Sequence, residues 1–310
     1  MLGRIYAIAL NTFREAVRDR VLYGVVACAT AVLFFTLALG QLSLNQEERV
    51  VADIGLASIS LFSVMVAVFL GSSLLYKEIE RKTLYVILPK PIHREEFLLG
   101  KFFGIALTGI VFVAIMGTIQ LWVMALQAGA PVTTVGVLAL LTVTAALVGA
   151  YFAPDRTAIV PPWSVLAFVA AFVVASRTDA ELAPVLAYLA LTVGELVVLT
   201  ALALFFSSFS TPFLTGLLSI GVWLVGRSAD AMIRMPGRTL PVEVKKLLAA
   251  IAWVVPNFDL FVPGRHTLLV GSTDYGGPTT YVATSLGYAV FYSAVLLVVA
   301  SLVLRRRDFV

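Results

Sequence analysis

The chain has 310 residues, of which 60% are hydrophobic and 13% are charged, and its formal net charge is +4. A soluble globular domain has about 25% charged residues, so this composition excludes one and predicts an all-α protein that crosses a membrane many times. The single cysteine, Cys28, excludes an internal disulfide, and only two histidines, His93 and His266, argue against a structural metal site.

Residues 2–20 predict an amphipathic helix that precedes the first membrane span. Polar residues share one helical face and small or apolar residues share another. The polar face has Arg4, Asn11, Glu15 and Arg18, and the other has Ile5, Ala9, Phe13 and Ala16. We expect this helix to lie along the cytoplasmic membrane surface; the alternative is a solvated beginning of the first span.

Eight apolar stretches are long enough to consider as spans, because a span needs about 20 apolar residues. They are 21–40, 54–76, 102–126, 134–152, 161–176, 185–206, 213–232 and 283–304. The fourth and fifth form an apolar hairpin, 134–176, around a short polar turn. This hairpin either crosses the membrane fully or inserts only in part.

Basic residues are distributed unequally between the loops, which predicts the orientation of the chain. With a cytoplasmic N-terminus, fourteen Lys and Arg residues fall inside and seven outside, and Arg227 lies near a span end. An excess of Lys and Arg marks the cytoplasmic side. We therefore expect both termini to be cytoplasmic, whether or not the hairpin crosses.

Residues 233–282 form a long loop on the extracytoplasmic side in this orientation. Within it, residues 247–255 are apolar but too short to span, and Pro256 follows them. Because proline ends helices, this stretch predicts a helix that either lies in the outer leaflet or is re-entrant.

Glu195 is the only charged residue deep within a predicted span. A charge at this depth is costly and is often functional. Glu195 is predicted to anchor helix–helix packing, to line a substrate or gating path, or to couple an ion. Arg227 and Asp230 have i, i+3 spacing, which favours a local pair, and Gly100 and Gly104 form a G-x-x-x-G pattern that allows close helix approach.

The most polar part of the chain is the cytoplasmic loop at 77–100. Residues 76–101 contain ten of the forty charged residues, and Pro89 and Pro91 interrupt the loop. Orientation needs only Lys and Arg, so the acidic residues and the apolar patch must have another purpose. We interpret the loop as two short helices around a bend that form a docking surface for a cytosolic partner. No nucleotide-binding motif of the G-x-x-x-x-G-K-[ST] type occurs anywhere in the sequence.

Several motifs in the chain resemble those of ABC-2 type permeases, the membrane subunits of one class of ABC exporters. The first motif lies in the cytoplasmic loop, where Glu78, Glu80, Thr83 and Leu84 precede Pro91-Ile92-His93-Arg94 and Gly100-Lys101, although Lys82 occupies a position where many members have Gly. The opening "ALNTFREAVRDRVLY", "GELVVLTALALFFSSFSTPF", "PNFDLF" and the terminal "RRRDF" are similar too, in the branch of the permease of nitrous-oxide-reductase maturation. The resemblance covers residues 1–126 and 185–310, so that 134–176 is an insertion in a six-span plan.

The resemblance implies a single transmembrane domain over 1–310, of the type V exporter class. Residues 2–20 would form the elbow helix, and 77–100 would contain the coupling helix that contacts a separate ATP-binding subunit. The residues implied in coupling are Glu78, Glu80, Arg81, Thr83, Pro91, Arg94, Arg14 and Arg18, and those considered for the substrate path are Glu195, Phe205 and Phe206. The chain itself would bind no cofactor, because ATP and Mg²⁺ would bind the partner.

The implied assembly has two permease chains, as a homodimer, and two ATPase chains in a bacterial or archaeal plasma membrane, without nucleic acid. One alternative is a stand-alone ion-coupled transporter, which should have several paired charges within the membrane or inverted repeats. A second is an intramembrane enzyme or a non-catalytic assembly scaffold; an enzyme should have a reactive His, Asp or Ser group at membrane depth.

Overall fold

The structure is a computed structural model that describes residues 2–43, 46–80, 93–153, 155–229, 243, 250, 254–270 and 276–306. The fold is nearly all-helical, as predicted from the composition. Seven of the described helices are long and apolar enough to cross a membrane.

The chain begins with α1 (Leu2–Val17) and turns directly into α2 (Arg20–Leu42). Asp19 separates the two helices, and its side chain accepts a hydrogen bond from the backbone N–H of Val21. This interaction satisfies one of the free N–H groups at the start of a helix, so the sharp junction between α1 and α2 is locally encoded.

The next two helices, α3 (Glu47–Glu80) and α4 (Arg94–Gln127), each have 34 residues. Both extend beyond the predicted spans 54–76 and 102–126, because their charged ends continue the helix outside the apolar segment. The expected helix restart after the prolines is confirmed, since α4 begins at Arg94 directly after His93. The prolines themselves lie outside the described residues.

The predicted apolar hairpin forms α5 (Val132–Phe152) and α6 (Val160–Ala175), joined through a 3₁₀ turn at Arg156–Ile159. The Trp163 indole N–H donates to the carbonyl of Thr142, 2.8 Å away, and so connects the two helices. Alone, α6 has 16 residues, but the helical segment from Arg156 to Ala175 has 20. Both arms therefore have membrane length.

The second half contains α7 (Leu182–Ser207), α8 (Pro212–Arg227), the short α9 (Arg265–Val270) and α10 (Pro278–Arg306). At about 1.5 Å per residue, the 16 residues of α8 are too short for a hydrocarbon core of about 30 Å. Of the predicted span 213–232, the structure describes residues 213–229, and the helix α8 ends at Arg227.

The helices divide into a buried centre and a lipid-accessible periphery. Most residues of the long segments of α3, α4 and α7 are buried, whereas at most 22% of those of α2, α5, α6 and α10 are buried. Among the described residues, the core thus consists of α3, α4 and α7, and α1 packs along the first part of α4. This arrangement places the start of α4 against α1 and the middle of α7 within the buried centre.

Candidate functional site

Two glycines at the start of α4 lie directly against the N-terminal helix, α1. A Cβ atom on Gly100 would lie 2.5 Å from Cγ2 of Ile8, and one on Gly104 would lie 2.5 Å from Cβ of Thr12 and 2.6 Å from the carbonyl oxygen of Ala9. Side chains larger than hydrogen would separate the helices. The G-x-x-x-G pattern therefore lets α1 of the same chain pack closely against α4. We call Gly100 and Gly104 the glycine seat of α1.

Two ion pairs flank this glycine seat and join α1 to α4. Arg4 lies 3.5 Å from the carboxylate of Glu96, and Glu15 lies 3.7 Å from the ammonium of Lys101. Both α4 members are buried, with side-chain exposures of 4% for Glu96 and 1% for Lys101. We call the contact made by these four residues and the two glycines the α1–α4 interface.

Arg14 and Arg18, predicted from the resemblance, lie at the C-terminal end of α1 near the turn of the hairpin. Arg14 forms an ion pair with Asp155 at this turn. The Thr157 hydroxyl donates to Asp155 over 2.8 Å, and this hydrogen bond, with smaller contributions from Arg14 and Arg18, holds the pKa of Asp155 below its ordinary value. The inserted hairpin is thereby connected to α1.

Arg94 connects the start of α4 to the last helix. Its guanidinium donates to the carbonyl oxygen of Leu304 in α10 over 2.9 Å. Glu78 and Glu80 belong to the last turn of α3, and nothing is described of their side chains. Arg81, Thr83 and Pro91 lie outside the described residues, so their predicted coupling roles stay predictions.

A second polar group surrounds Glu195 in the middle of α7. One carboxylate oxygen accepts from the Ser60 hydroxyl of α3 over 2.7 Å, and the other accepts from the Trp223 indole over 2.8 Å and from the Arg227 guanidinium over 2.9 Å. Arg227 also lies 5.2 Å from the ring centre of Trp223. We call these four residues the Glu195 cluster; it joins α3, α7 and α8.

The sequence pattern missed most of the Glu195 cluster. The predicted partner of Arg227 was Asp230, which lies outside the described residues, whereas the structure pairs Arg227 with Glu195. Trp223 and Arg227 have i, i+4 spacing and share one face of α8, which is the one signal the sequence contains. The partner across the bundle could not be identified from spacing along one helix.

Phe205 and Phe206, also considered for the substrate path, lie at the end of α7 away from the Glu195 cluster, and their part in a path stays a prediction. They pack with Phe209 into an aromatic group with ring centres 5.2 to 6.0 Å apart at the end of α7. Ten residues separate Phe205 from Glu195, or roughly 15 Å along the helix. Their contacts are those of aromatic packing.

The motif "PNFDLF" is held against the middle of α7 and α10. Phe258 donates its backbone N–H to the carbonyl of Gly226, and Phe261 lies 2.9 Å from where a Cβ of Gly194 would be. Three tyrosines on one face of α10 bond the backbone of this segment: Tyr288 accepts from the N–H of Asn257, Tyr281 donates to Leu260 and Tyr292 donates to Val254. Such non-helical backbone is tolerated within a membrane protein when it is buried in protein.

In the described part of the chain, no three His, Cys, Asp or Glu residues are grouped as metal ligands. The long apolar helices define the class, a multi-pass α-helical membrane protein. Within that class, the sequence profile of the "ABC-2 family transporter protein" family matches residues 6–309, so the chain belongs to this family. No curated protein sequence matches the chain.

Proposed function

We propose that the chain is the permease subunit of an ATP-driven exporter and works with a separate ATP-binding subunit. Family membership over residues 6–309 supports a transporter permease. The export direction, two copies of each subunit, a homodimeric permease and a bacterial or archaeal plasma membrane with both termini cytoplasmic belong to the proposal. ATP and Mg²⁺ would bind the partner.

The observation that carries the proposal is the way in which the start of α4 is connected. The cytoplasmic loop leads into α4, which begins at Arg94. Within its first two turns, α4 contacts α1 through Glu96 and Lys101, and it contacts α10 through Arg94. A displacement of the loop by a cytosolic subunit would therefore be passed to three helices. A loop that only determined orientation would not need buried ion pairs at its end.

The Glu195 cluster fits this proposal better than ion coupling by a stand-alone transporter. Both carboxylate oxygens of Glu195 accept hydrogen bonds from protein donors, and Glu195 is 1% exposed. A coupling carboxylate has to release its partners to take up an ion in each cycle. Such a tightly bonded pair is better suited to fix three helices as one unit.

The test is co-purification. The tagged chain is expressed from its native locus, extracted in a mild detergent and isolated with whatever is bound. We expect a stoichiometric protein with a nucleotide-binding motif that hydrolyses ATP. Recovery of the chain alone from several mild detergents would contradict the proposal and favour an autonomous transporter.

A further inference from the structure

A cavity of about 370 Å³ opens at the end of the bundle opposite the cytoplasmic loop. It lies between the N-terminal ends of α3 and α7 and the C-terminal end of α4, and residues 262–268 close one side. Small-molecule sites have volumes of roughly 300–1,000 Å³. The cavity is therefore large enough for a small organic molecule.

The inner wall of the cavity is apolar. Leu56, Val185 and Leu268 line it, with residue exposures of 6%, 2% and 6%, and Met124 adds a flexible thioether. Methionine adapts to differently shaped ligands. This wall favours an apolar body without selecting one particular shape.

The rim of the same cavity is acidic. Glu48, Asp53 and Glu181 line it together with one guanidinium, that of Arg49. Arg49 lies 3.6 Å from Asp53, and both side chains are more than half exposed, so that their attraction is weak. Among the described lining residues, negative charge exceeds positive by two, which favours a cation at the rim.

Tyr188 connects the cavity to the Glu195 cluster. It lines the cavity, and its hydroxyl is close enough to Arg227 and Glu195 to interact with their charges. Glu195 and Arg227 have opposite charges and pair with each other, so they add no net charge, and a positive group gains most at the acidic rim. The head of a ligand would therefore lie outward and its apolar body inward.

We infer that this cavity binds a monovalent organic cation with an apolar body. The positive group lies among Glu48, Asp53 and Glu181, and the body packs against Leu56, Val185 and Leu268. Binding needs only this chain. Its interpretation as the transported molecule, by contrast, rests on the proposed function.

The probe is tetraphenylphosphonium, and the matched control ligand is tetraphenylborate, which has nearly the same shape and the opposite charge. Binding of each radiolabelled ion is measured with the purified chain in a neutral detergent. We expect saturable binding of the cation and none of the anion. Equal binding of both ions, or no saturable binding of the cation, would overturn the inference.

Variants localise the binding. The double variant Glu48→Gln/Glu181→Gln should weaken cation binding by about tenfold, since each exposed carboxylate a few ångströms away contributes a modest attraction. Val185→Trp should abolish binding by filling the cavity. Glu47→Gln neutralises the neighbouring carboxylate, which is exposed and outside the cavity lining, and should leave binding unchanged.

Unchanged cation binding in the double variant would place the cation elsewhere and overturn the inference, even if Val185→Trp failed to fold. The assay contains no ATPase subunit, so the two proposals fail separately. An absence of binding together with co-purified ATPase contradicts only the cation site. Specific binding by a chain that recruits no ATPase contradicts only the proposed function.

Discussion

The Glu195 cluster and the α1–α4 interface are both buried polar contacts, but they are built differently. In the cluster, donor–acceptor distances to the Glu195 carboxylate are 2.7 to 2.9 Å, and three donors come from two other helices. At the interface, the ion pairs are 3.5 and 3.7 Å long, and their α1 members, Arg4 and Glu15, are 48% and 40% exposed. Short bonds to a buried carboxylate hold helices together, whereas longer ion pairs with a half-exposed member can shift. The Glu195 cluster is therefore suited to a fixed core, and the α1–α4 interface is suited to transmitting movement.

The largest effect should come from breaking the Glu195 cluster. Arg227→Met leaves the Glu195 carboxylate buried without its opposite charge, which typically costs about 3–5 kcal/mol. We expect a large fall in the thermal unfolding midpoint of the detergent-solubilised chain, measured at a fixed scan rate.

Arg49→Met is the matched control, because it removes an exposed i, i+4 pair of about 0–1 kcal/mol. The double variant Glu195→Leu/Arg227→Met should recover most of the lost midpoint, since no charge is then left unpaired. Equal midpoints for Arg227→Met and Arg49→Met would show that the cluster is not the fixed contact described above.

The next effect concerns the glycine seat of the α1–α4 interface. Gly104→Ala places a Cβ atom against Thr12 and the Ala9 carbonyl, and overpacking of this kind costs about 1–3 kcal/mol. We expect α1 to detach more easily, seen as faster proteolysis at its junction with α2 and a lower midpoint.

Gly136→Ala on α5 provides the control, because a Cβ atom there meets nothing within 4 Å. It should be neutral or slightly stabilising, since alanine favours helices over glycine. Equal rates of proteolysis and equal midpoints for Gly104→Ala and Gly136→Ala would show that α1 does not pack against the glycine seat.

A smaller effect is expected where α10 bonds the "PNFDLF" segment. Tyr288→Phe removes the hydroxyl 2.9 Å from the Asn257 N–H, and the loss of one such hydrogen bond costs about 0.5–1.5 kcal/mol. The midpoint should fall, with faster amide exchange at residues 257–261. Tyr6→Phe, at a 69% exposed position, should change neither quantity.

The smallest effect is the pH dependence contributed by Asp155. Its pKa is lowered in the folded chain by the Thr157 hydrogen bond and by Arg14 and Arg18. A carboxyl with a lowered folded pKa stabilises the fold above its unfolded pKa of about 3.9. This contribution is then lost as pH falls through the lower folded value.

Asp155→Asn should therefore show a slightly shallower loss of unfolding midpoint than the wild type between pH 5 and pH 3. The exposed Asp179 provides the comparison, as Asp179→Asn. A pH profile of Asp155→Asn identical to that of the wild type would mean that the connection between the hairpin and α1 adds no stability.

Much of the fold could be predicted from the sequence, because runs of apolar residues and the ends of helices are local features. The helices around 21–40, 134–152 and 283–304 were found near their predicted positions. The long α3 and α4 exceeded their apolar spans, since hydropathy does not register charged helical ends. Gly100 and Gly104 were recognised as a close-approach pattern, but the partner that fills it was not.

The candidate sites were less predictable, because they depend on contacts between distant helices. Glu195 stood out as a buried charge, yet Ser60 is 135 residues away in the chain and has no feature that marks it. Lys101 was interpreted as part of the charged loop and of the Gly100-Lys101 motif, although it is buried at the α1–α4 interface. The rim and wall of the cavity come from four separate segments, which no pattern along one helix could bring together.

The most direct test of the central claim is ATP hydrolysis by the assembled complex after reversal of Glu78 and Glu80, at the end of α3 that enters the cytoplasmic loop. We predict that the Glu78→Lys/Glu80→Lys variant inserts into the membrane normally, retains less of the ATP-binding subunit and no longer stimulates ATP hydrolysis by that subunit. Glu47→Lys, at the opposite end of the same helix, should leave the activity of the complex unchanged. Normal stimulation in the double variant would contradict the claim that this loop is where the ATP-binding subunit docks.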